Sequence, residues 1–301
     1  MSELRLFTLT PNGVQELPGR FYKLEKEIQN LFEKNLEALL GVRFVASEFQ
    51  AGPGNRIDTL GIDENGFPVV IEYKLDKNKT VINQGVAYLA WIRNNPDSYW
   101  KAVLNKLGRE IADSIDYSSV RLICIAAEFT RDDLGMYELM PNLIDLVRYR
   151  RFGDRQILLE RVSTTDTSTP NHANIKQGNN RSGPDKPFTQ VLEEANPITR
   201  DIFSSLQQTL LSQGEDVTEK STKLYMAYKR TRNFATIVAK KDELLLYLHV
   251  DPDTVDIRDG LRDVRNIGHW GTGSLEVRIR SKHDIEVNLP IIQRAYEGEI
   301  T

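Results

Sequence analysis

Three side chains have the types and spacing to do chemistry together: Asp58, Glu72 and Lys74. They stand in RIDTLGID and FPVVIEYK, two apolar runs that read as strands joined through Glu64-Asn65-Gly66, a strong hairpin signal. Alternate residues of a strand share a face, so Glu72 and Lys74 point the same way. Asp58, on the other arm, comes opposite or diagonal to them. Two carboxylates and an ammonium then converge at the end of an apolar sheet. Hard oxygen donors of this kind suit Mg²⁺, with Mn²⁺ as a substitute. A metal so held activates a water and offsets charge on a phosphoryl transition state, and Lys74 is a point charge able to position that water or the phosphate. Such charges also occur on solvated sheet faces. Here Ile57, Leu60, Ile62, Val69, Val70 and Ile71 make both segments core strands, where an ion without partner or metal is costly.

The surrounding pattern supplies the elements that position these groups. Tyr22–Leu40 has apolar residues at helical spacing and ends at Gly41, a C-cap signal. RFVASEF, RIDTLGID and FPVVIEYK follow as strands, then helices over Val81–Arg93 and Ser98–Leu107, then the buried strand VRLICIAAEF. That order predicts an α/β fold, a mixed sheet flanked by helices on both sides.

The pattern RIDTLGID…GFPVVIEYK resembles the catalytic hairpin of the PD-(D/E)XK nuclease superfamily, whose fold is restriction-endonuclease-like. In that resemblance Asp58 is the first acid, Glu72 the second and Lys74 the lysine, with Ile57 where the family's name has proline. LFEKNLE offers Glu33, or Glu37 a turn later, for the glutamate many members carry on the preceding helix. Gln84-Gly85-Val86-Ala87-Tyr88 is similar to the Gln-x-x-x-Tyr of the RecB-type branch, and residues four apart lie on one helical face. The likeness covers about residues 20 to 130. It implies a Mg²⁺-dependent nuclease acting on DNA, in repair or defence. Asp58 and Glu72 would hold the metal, Lys74 would serve the water or phosphate, Glu33 would add a carboxylate and Gln84 would contact phosphate. Arg56, Tyr88, Arg148, Arg150 and Arg151 are further candidates for touching nucleic acid; Arg148, Arg150 and Arg151 form with Arg155 a basic cluster after a predicted strand, which also fits a protected strand edge. The rival reading is a catalytically silent module that binds nucleic acid or protein on the same fold; a second rival makes the carboxylates ordinary salt bridges.

Composition narrows the setting. The chain has 301 residues, 40% apolar and 27% charged, with a net charge of −4 that does not segregate by half. It lacks a general basic coat, so nucleic-acid binding must come from local patches. Neither a membrane span nor a signal-peptide apolar run is evident, and the one cysteine, Cys124, stands in an apolar run that predicts a buried, inert thiol. These features fit a cytoplasmic protein.

Residues 162–189 are rich in Ser, Thr, Asn, Gly and Pro and read as a flexible linker between a nuclease-like domain, 1–161, and an accessory α+β domain, 190–301. In the second half, helices are expected over Val191–Leu211 and Ser221–Lys229, strands over FATIVAK, ELLLYLHV and SLEVRIR, and a helix over Asp284–Tyr296. Lys223, Lys229, Arg230, Arg232, Lys240 and Lys241 interleave with Tyr225, Tyr228 and Phe234, a pattern shared by single-strand binding surfaces and by helices packed on sheets. His269-Trp270 lies in IGHWGTGS with no acidic partner at zinc-ligand spacing and no phosphate-loop lysine. KLYMAYKRTRNFATI, ELLLYLHVDP, IGHWGTG and IIQRAYEGEI resemble a small domain of unknown function often joined to nuclease-like domains, which implies an accessory role and names no chemistry.

Overall fold

The computed structural model describes residues 4–75, 82–140, 143–162 and 186–298. Residues 163–185 of the segment expected as a linker lie outside the described residues, and Phe188 and Thr189 at its end belong to a helix instead. The chain divides into two compact units, Met1–Thr165 and Asp166–Thr301.

The first unit begins with a small hairpin, β1 (Leu6–Thr10) and β2 (Gly13–Leu17), and then a short strand β3 (Gly19–Arg20). Next come α1 (Glu25–Lys34), α2 (Leu36–Leu40), β4 (Val42–Gln50), β5 (Arg56–Asp63) and β6 (Pro68–Lys74). Then follow α3 (Ile82–Asn94), α4 (Pro96–Leu107), α5 (Arg109–Asp113), β7 (Arg121–Ala126), α6 (Arg131–Leu139), β8 (Ile144–Phe152) and β9 (Gln156–Arg161). The main sheet runs β3-β8-β7-β6-β5-β4, with β9 paired to β8. Strands β4, β5 and β6 form an antiparallel meander, whereas β6, β7 and β8 are parallel neighbours. Parallel pairing needs a crossover, which α3–α5 and then α6 provide.

Helices cover both faces of this mixed sheet. Ile28, Phe32 and Leu36 pack on Val69, Ile71, Tyr73, Ile123 and Ile125. The residues between, Val70, Leu122 and Cys124, face Tyr88, Leu89, Ile92 and Val103. Being buried on both sides explains why β6 and β7 read as continuous apolar runs. The β5–β6 turn is closed by Gly66 N–H donating to the Asp63 carbonyl, with Gly66 at φ 82, a conformation that favours glycine.

The expected helix over Tyr22–Leu40 is two helices. Asn35, at φ −131, interrupts it, and its side-chain amide donates to the Leu31 carbonyl at 2.8 Å. A polar side chain able to bond the backbone locally competes with helix continuation. Gly41 ends the second piece in the left-handed region at φ 64.

The second unit holds α7 (Phe188–Glu194), α8 (Pro197–Leu211), β10 (Thr218–Ser221), β11 (Met226–Lys229), β12 (Asn233–Ala239), β13 (Leu244–Leu248), β14 (Leu261–Asp263), β15 (Leu275–Ile279) and α9 (Lys282–Glu297). Its antiparallel sheet has the order β10-β11-β12-β13-β15-β14. Helices α7, α8 and α9 contribute to one core with one sheet face, through Phe188, Ile202, Leu206, Ile285 and Ile292 against Ala235, Ile237, Leu246 and Val277. The expected helix over Val191–Leu211 breaks at Ala195-Asn196, because Pro197 takes the N1 position and the Asn196 side chain caps the new helix through Thr199 N–H at 2.7 Å. Ser221–Lys229 is not a helix. Its apolar spacing is ambiguous over so short a run, and Met226–Lys229 pairs with β10 and β12 instead.

Candidate active site

Asp58 and Glu72 meet where the β5–β6 ladder runs out. Register pairs Thr59 with Ile71, which puts Asp58 across from Glu72 at the next step. There the side chains take over from the carbonyls. Asp58 N–H donates to Glu72 Oε1 at 3.2 Å, and Tyr73 N–H donates to Asp58 Oδ2 at 3.2 Å. Each carboxylate is thus fixed by the main chain of the other's arm.

The electrostatics are those of two acids held too close in too dry a place. Glu72 is 3% exposed. Burial first, then the neighbouring Asp58 charge, push its pKa up to about 9, against the Asp58 amide. Burial also raises Asp58, to about 6, with Glu48 and Glu25 adding and the Tyr73 amide and Arg56 opposing. Raised acids clustered at one strand end are a mark of functional sites.

Glu48 was not anticipated from the sequence. Flanking pairs Ser47–Thr59 and Phe49–Ile57 put it across from Asp58 on β4, so three acids stand abreast on three strands. Glu48 has φ 53, the one non-glycine in the left-handed region among the described residues. Such strain is concentrated at functional sites. Its carboxylate is held by Lys26 at 2.9 Å and Arg56 at 2.6 Å.

Several expected positions fall elsewhere. Lys74 shares a face with Glu72 by alternation, yet its ammonium pairs with Asp133 Oδ2 at 3.5 Å. Asp133 belongs to the capping box of α6, accepting from Thr130 N–H and the Thr130 hydroxyl, while its buried Oδ1 has no hydrogen-bond partner. Thr130-x-x-Asp133 was the signal available for it. Glu33 lies on the other side of the sheet. Its Oε1 accepts from the Thr59 hydroxyl at 2.6 Å and from Gln29 at 3.0 Å, because α1 packs on the odd-numbered residues of β6. The α1 acid whose charge does reach the pair is Glu25, whose Oε1 accepts from Leu75 N–H at 3.1 Å. Glu37 is exposed on α2.

Tyr88 is buried rather than presented to a ligand. Its hydroxyl donates to the Arg56 carbonyl at 2.8 Å and accepts from the Arg56 amide at 3.3 Å and from Gln84 Nε2 at 2.6 Å. The Gln-x-x-x-Tyr pair therefore ties α3 to β5 two residues before Asp58. Between them, Gly85 lets α3 lie against β7, since a Cβ there would come 2.4 Å from the Leu122 side chain. The arginines do not form one basic cluster. Arg148 sits between Glu128 at 3.7 Å and Glu160 at 3.6 Å; Arg150 and Arg151 stack over Phe21 and Tyr22. All three are residues of β8, not of a segment following a strand. Cys124 is buried and its thiol pKa is raised well above normal by burial, leaving it protonated.

No group of three or more His, Cys, Asp or Glu able to hold a metal is assembled among the described residues. The Asp58–Glu72 pair nevertheless fits a hard divalent cation. Mg²⁺ is commonly held by one or two carboxylates and keeps several waters, and a cation would offset the burial and the neighbouring carboxylate charge that raise both acids. No helix among the described residues is long and apolar enough to cross a membrane.

A family model described as a domain of unknown function, DUF5655, matches residues 189–298, within the second unit. A Haemophilus influenzae protein described as uncharacterized is 27% identical over 301 residues, covering 97% of this chain and 99% of that protein. Among solved structures, the chain is similar to a repair endonuclease from Pyrococcus abyssi at 18% identity, covering 43% of this chain and 48% of that one with a TM-score of 0.25. It is also similar to EndoMS in a complex with double-stranded DNA at 19% identity, covering 45% and 51% with the same TM-score. The matches span about half the length of those solved structures.

Proposed function

We propose that the first unit is a metal-dependent nuclease that hydrolyses phosphodiester bonds in DNA. The observation that carries this reading is the interlocked pair Asp58–Glu72, two carboxylates raised in pKa and pinned at a strand end, Glu72 by the Asp58 amide and Asp58 by the Tyr73 amide. On this reading Asp58 and Glu72 hold Mg²⁺ or Mn²⁺. Such an ion, when bound, supplies Lewis acidity and a water acidic enough to attack phosphorus. The chain's own groups do the positioning. The Asp58 and Tyr73 amides fix the carboxylate oxygens, and Tyr88 anchors the strand that carries Asp58. Lys74 carries the positive charge this chemistry needs near phosphate, and its tie to Asp133 sets where that charge stands.

The test is cleavage of single-stranded, duplex, mismatched and branched DNA with Mg²⁺ or Mn²⁺. Wild type should cut at least one of these and Glu72→Ala should not. Undiminished cutting by Glu72→Ala would overturn the assignment. The engagement of Lys74 by Asp133 favours a second reading, a silent binding module, which predicts binding without cleavage by every protein on every substrate.

A further inference from the structure

Among the described residues, α7, α8 and α9 of the second unit pack on one face of its sheet, and the other face has a distinct chemistry. Leu244, Leu246 and Leu248 of β13 and Leu275, Val277 and Ile279 of β15 join the helix-side core. Tyr247, Glu276 and Arg278 alternate with them and therefore point to the helix-free side. Register adds Arg262 opposite Glu276 and Lys220 opposite Ala227, on the same side. Among the described strand residues, Glu276 is the one acid on this face. It is 1% exposed and already answered by Tyr247, Arg262 and Arg278. Glu219 turns to α8 through Gln207, and Asp263 is gathered with Asp251 and Asp253 on Arg265. The face is cationic.

Aromatic surface accompanies that charge. The segment 267–273 crosses this side, with His269 stacked on Tyr247 at 4.5 Å and Thr272 bonded to Thr236, Asn233 and His249. That network fixes Trp270, which remains 43% exposed beneath Lys240, whose ammonium is 5.2 Å from the ring centroid. Arg232, exposed, lies close enough to His249 for its charge to act on the ring. Tyr228 and Phe234, the aromatics singled out in the sequence, are buried in the helix-side core, and Arg230 is paired with Asp216. The exposed ring is that of Trp270 instead.

We propose that this helix-free face binds single-stranded DNA, with Trp270 as a base-stacking platform and Lys240, Arg232, Arg262 and Arg278 along the phosphate path. The sheet is partly covered on this side, with Val238, Tyr247 and Val264 in a buried cluster, so what it presents is basic side chains and an exposed ring. These suit an unpaired strand, because a base offers its face only when it is not stacked in a duplex. The choice of DNA over RNA rests on the nuclease reading of the first unit; the surface itself does not.

The experiment uses the full chain carrying Glu72→Ala, in chelator, so that cleavage plays no part. Binding of a fluorescent oligothymidylate is measured by anisotropy across salt concentrations, beside duplex DNA and oligouridylate of equal length. Trp270→Ala should weaken binding about ten-fold or more while Trp270→Phe keeps most of it. Lys240→Ala and Arg232→Ala should each lower the slope of log Kd against log salt by about 0.7, one phosphate contact on a single strand. Melting curves of all variants check folding, and a Trp270→Ala protein that melts early is replaced by the exposed-site variant Arg232→Glu. Binding unchanged in Trp270→Ala and Arg232→Glu would overturn the proposal, as would preference for duplex DNA or for oligouridylate. These results do not depend on whether the first unit cuts, so the two readings fail separately.

Discussion

The Lys74 ammonium lies 3.5 Å from Asp133 Oδ2, and the two side chains are 5% and 0% exposed. An ammonium on β6 is thereby tied to the first turn of α6, fifty-nine residues later in the chain. Asp133→Ala removes the counter-charge and the acceptor for Thr130 N–H together. It should destabilise the unit by about 3–5 kcal/mol in urea unfolding, the usual cost of stranding a buried ion. Lys74→Met should cost less, because Asp133 keeps its Thr130 donors, and the double variant Lys74→Met/Asp133→Asn should recover most of the Asp133→Ala loss. An Asp133→Ala protein within about 0.5 kcal/mol of wild type would show that the pair is hydrated.

Arg121 anchors the sheet from within. Its guanidinium bonds Asp63 at 2.7 Å and Asp145 at 2.6 Å, and Arg161 adds a further bond to Asp145 at 2.7 Å, so one network joins β5, β7, β8 and β9. Burial works against the charge on Arg121, and the two carboxylates outweigh it. Arg121→Ala should lose about 3–5 kcal/mol of stability, and Arg121→Lys should recover only part, lacking the fork that meets two acids at once. Denaturant midpoints compare the three proteins; equal midpoints would refute the role.

The sequence made the hairpin legible because every local signal agreed there. Glu64-Asn65-Gly66 set the turn, the apolar runs set two core strands, and alternation then dictated which side chains share a face. The pairing of Asp133 with Lys74 and the place of Glu48 were not legible. Asp133 is brought to Lys74 by a crossover that no local pattern encodes, and Glu48 reaches its place across from Asp58 through a register shift in β4 between Phe44 and Ala46. Glu33 was misplaced because helical periodicity says which residues face the sheet, not which side of the sheet the helix covers. The helix–strand error at Ser221–Lys229 arose where a strand of four residues, Met226–Lys229, is too short to show its period. Arg148, Arg150 and Arg151 looked like one patch in sequence, but alternation along β8 turns Arg151 away from the other two, and Arg148 is held by Glu128 and Glu160 while Arg150 lies over Phe21.

Tyr88 provides a test of positioning apart from packing. Tyr88→Phe keeps the buried ring and removes a hydroxyl that both donates to and accepts from the Arg56 backbone. The expected stability loss is about 1–3 kcal/mol, since the Arg56 carbonyl loses its partner. In a cleaving enzyme kcat should fall with KM little changed, because the hydroxyl sets strand position and does not touch substrate. A rise in KM alone would instead place Tyr88 at the substrate surface.

The last prediction concerns pH and Glu72. Its folded-state pKa is about 9 against an ordinary 4.5, and Asp58 stands at about 6 against 3.8. Between the ordinary and the raised values the folded protein holds protons that the unfolded chain has released. Stability contributed by these protonated acids is therefore complete below the unfolded values and declines as pH rises toward the folded ones, from about 4 to 6 for Asp58 and onward to about 9 for Glu72. Each pH unit over which the states differ by a full proton changes stability by about 1.4 kcal/mol. In chelator, wild type should lose stability between about pH 5 and pH 8 relative to Glu72→Gln, which has no proton to shed, so the variant should be the more stable of the two at the upper end. Adding Mg²⁺ should raise the wild-type melting temperature more at the upper pH than at the lower and leave Glu72→Gln nearly unmoved, because a cation binds the ionised carboxylates of the folded state. Parallel stability–pH curves for the two proteins would show that Glu72 ionises freely in the fold, and a Mg²⁺ response equal in both would place the ion elsewhere.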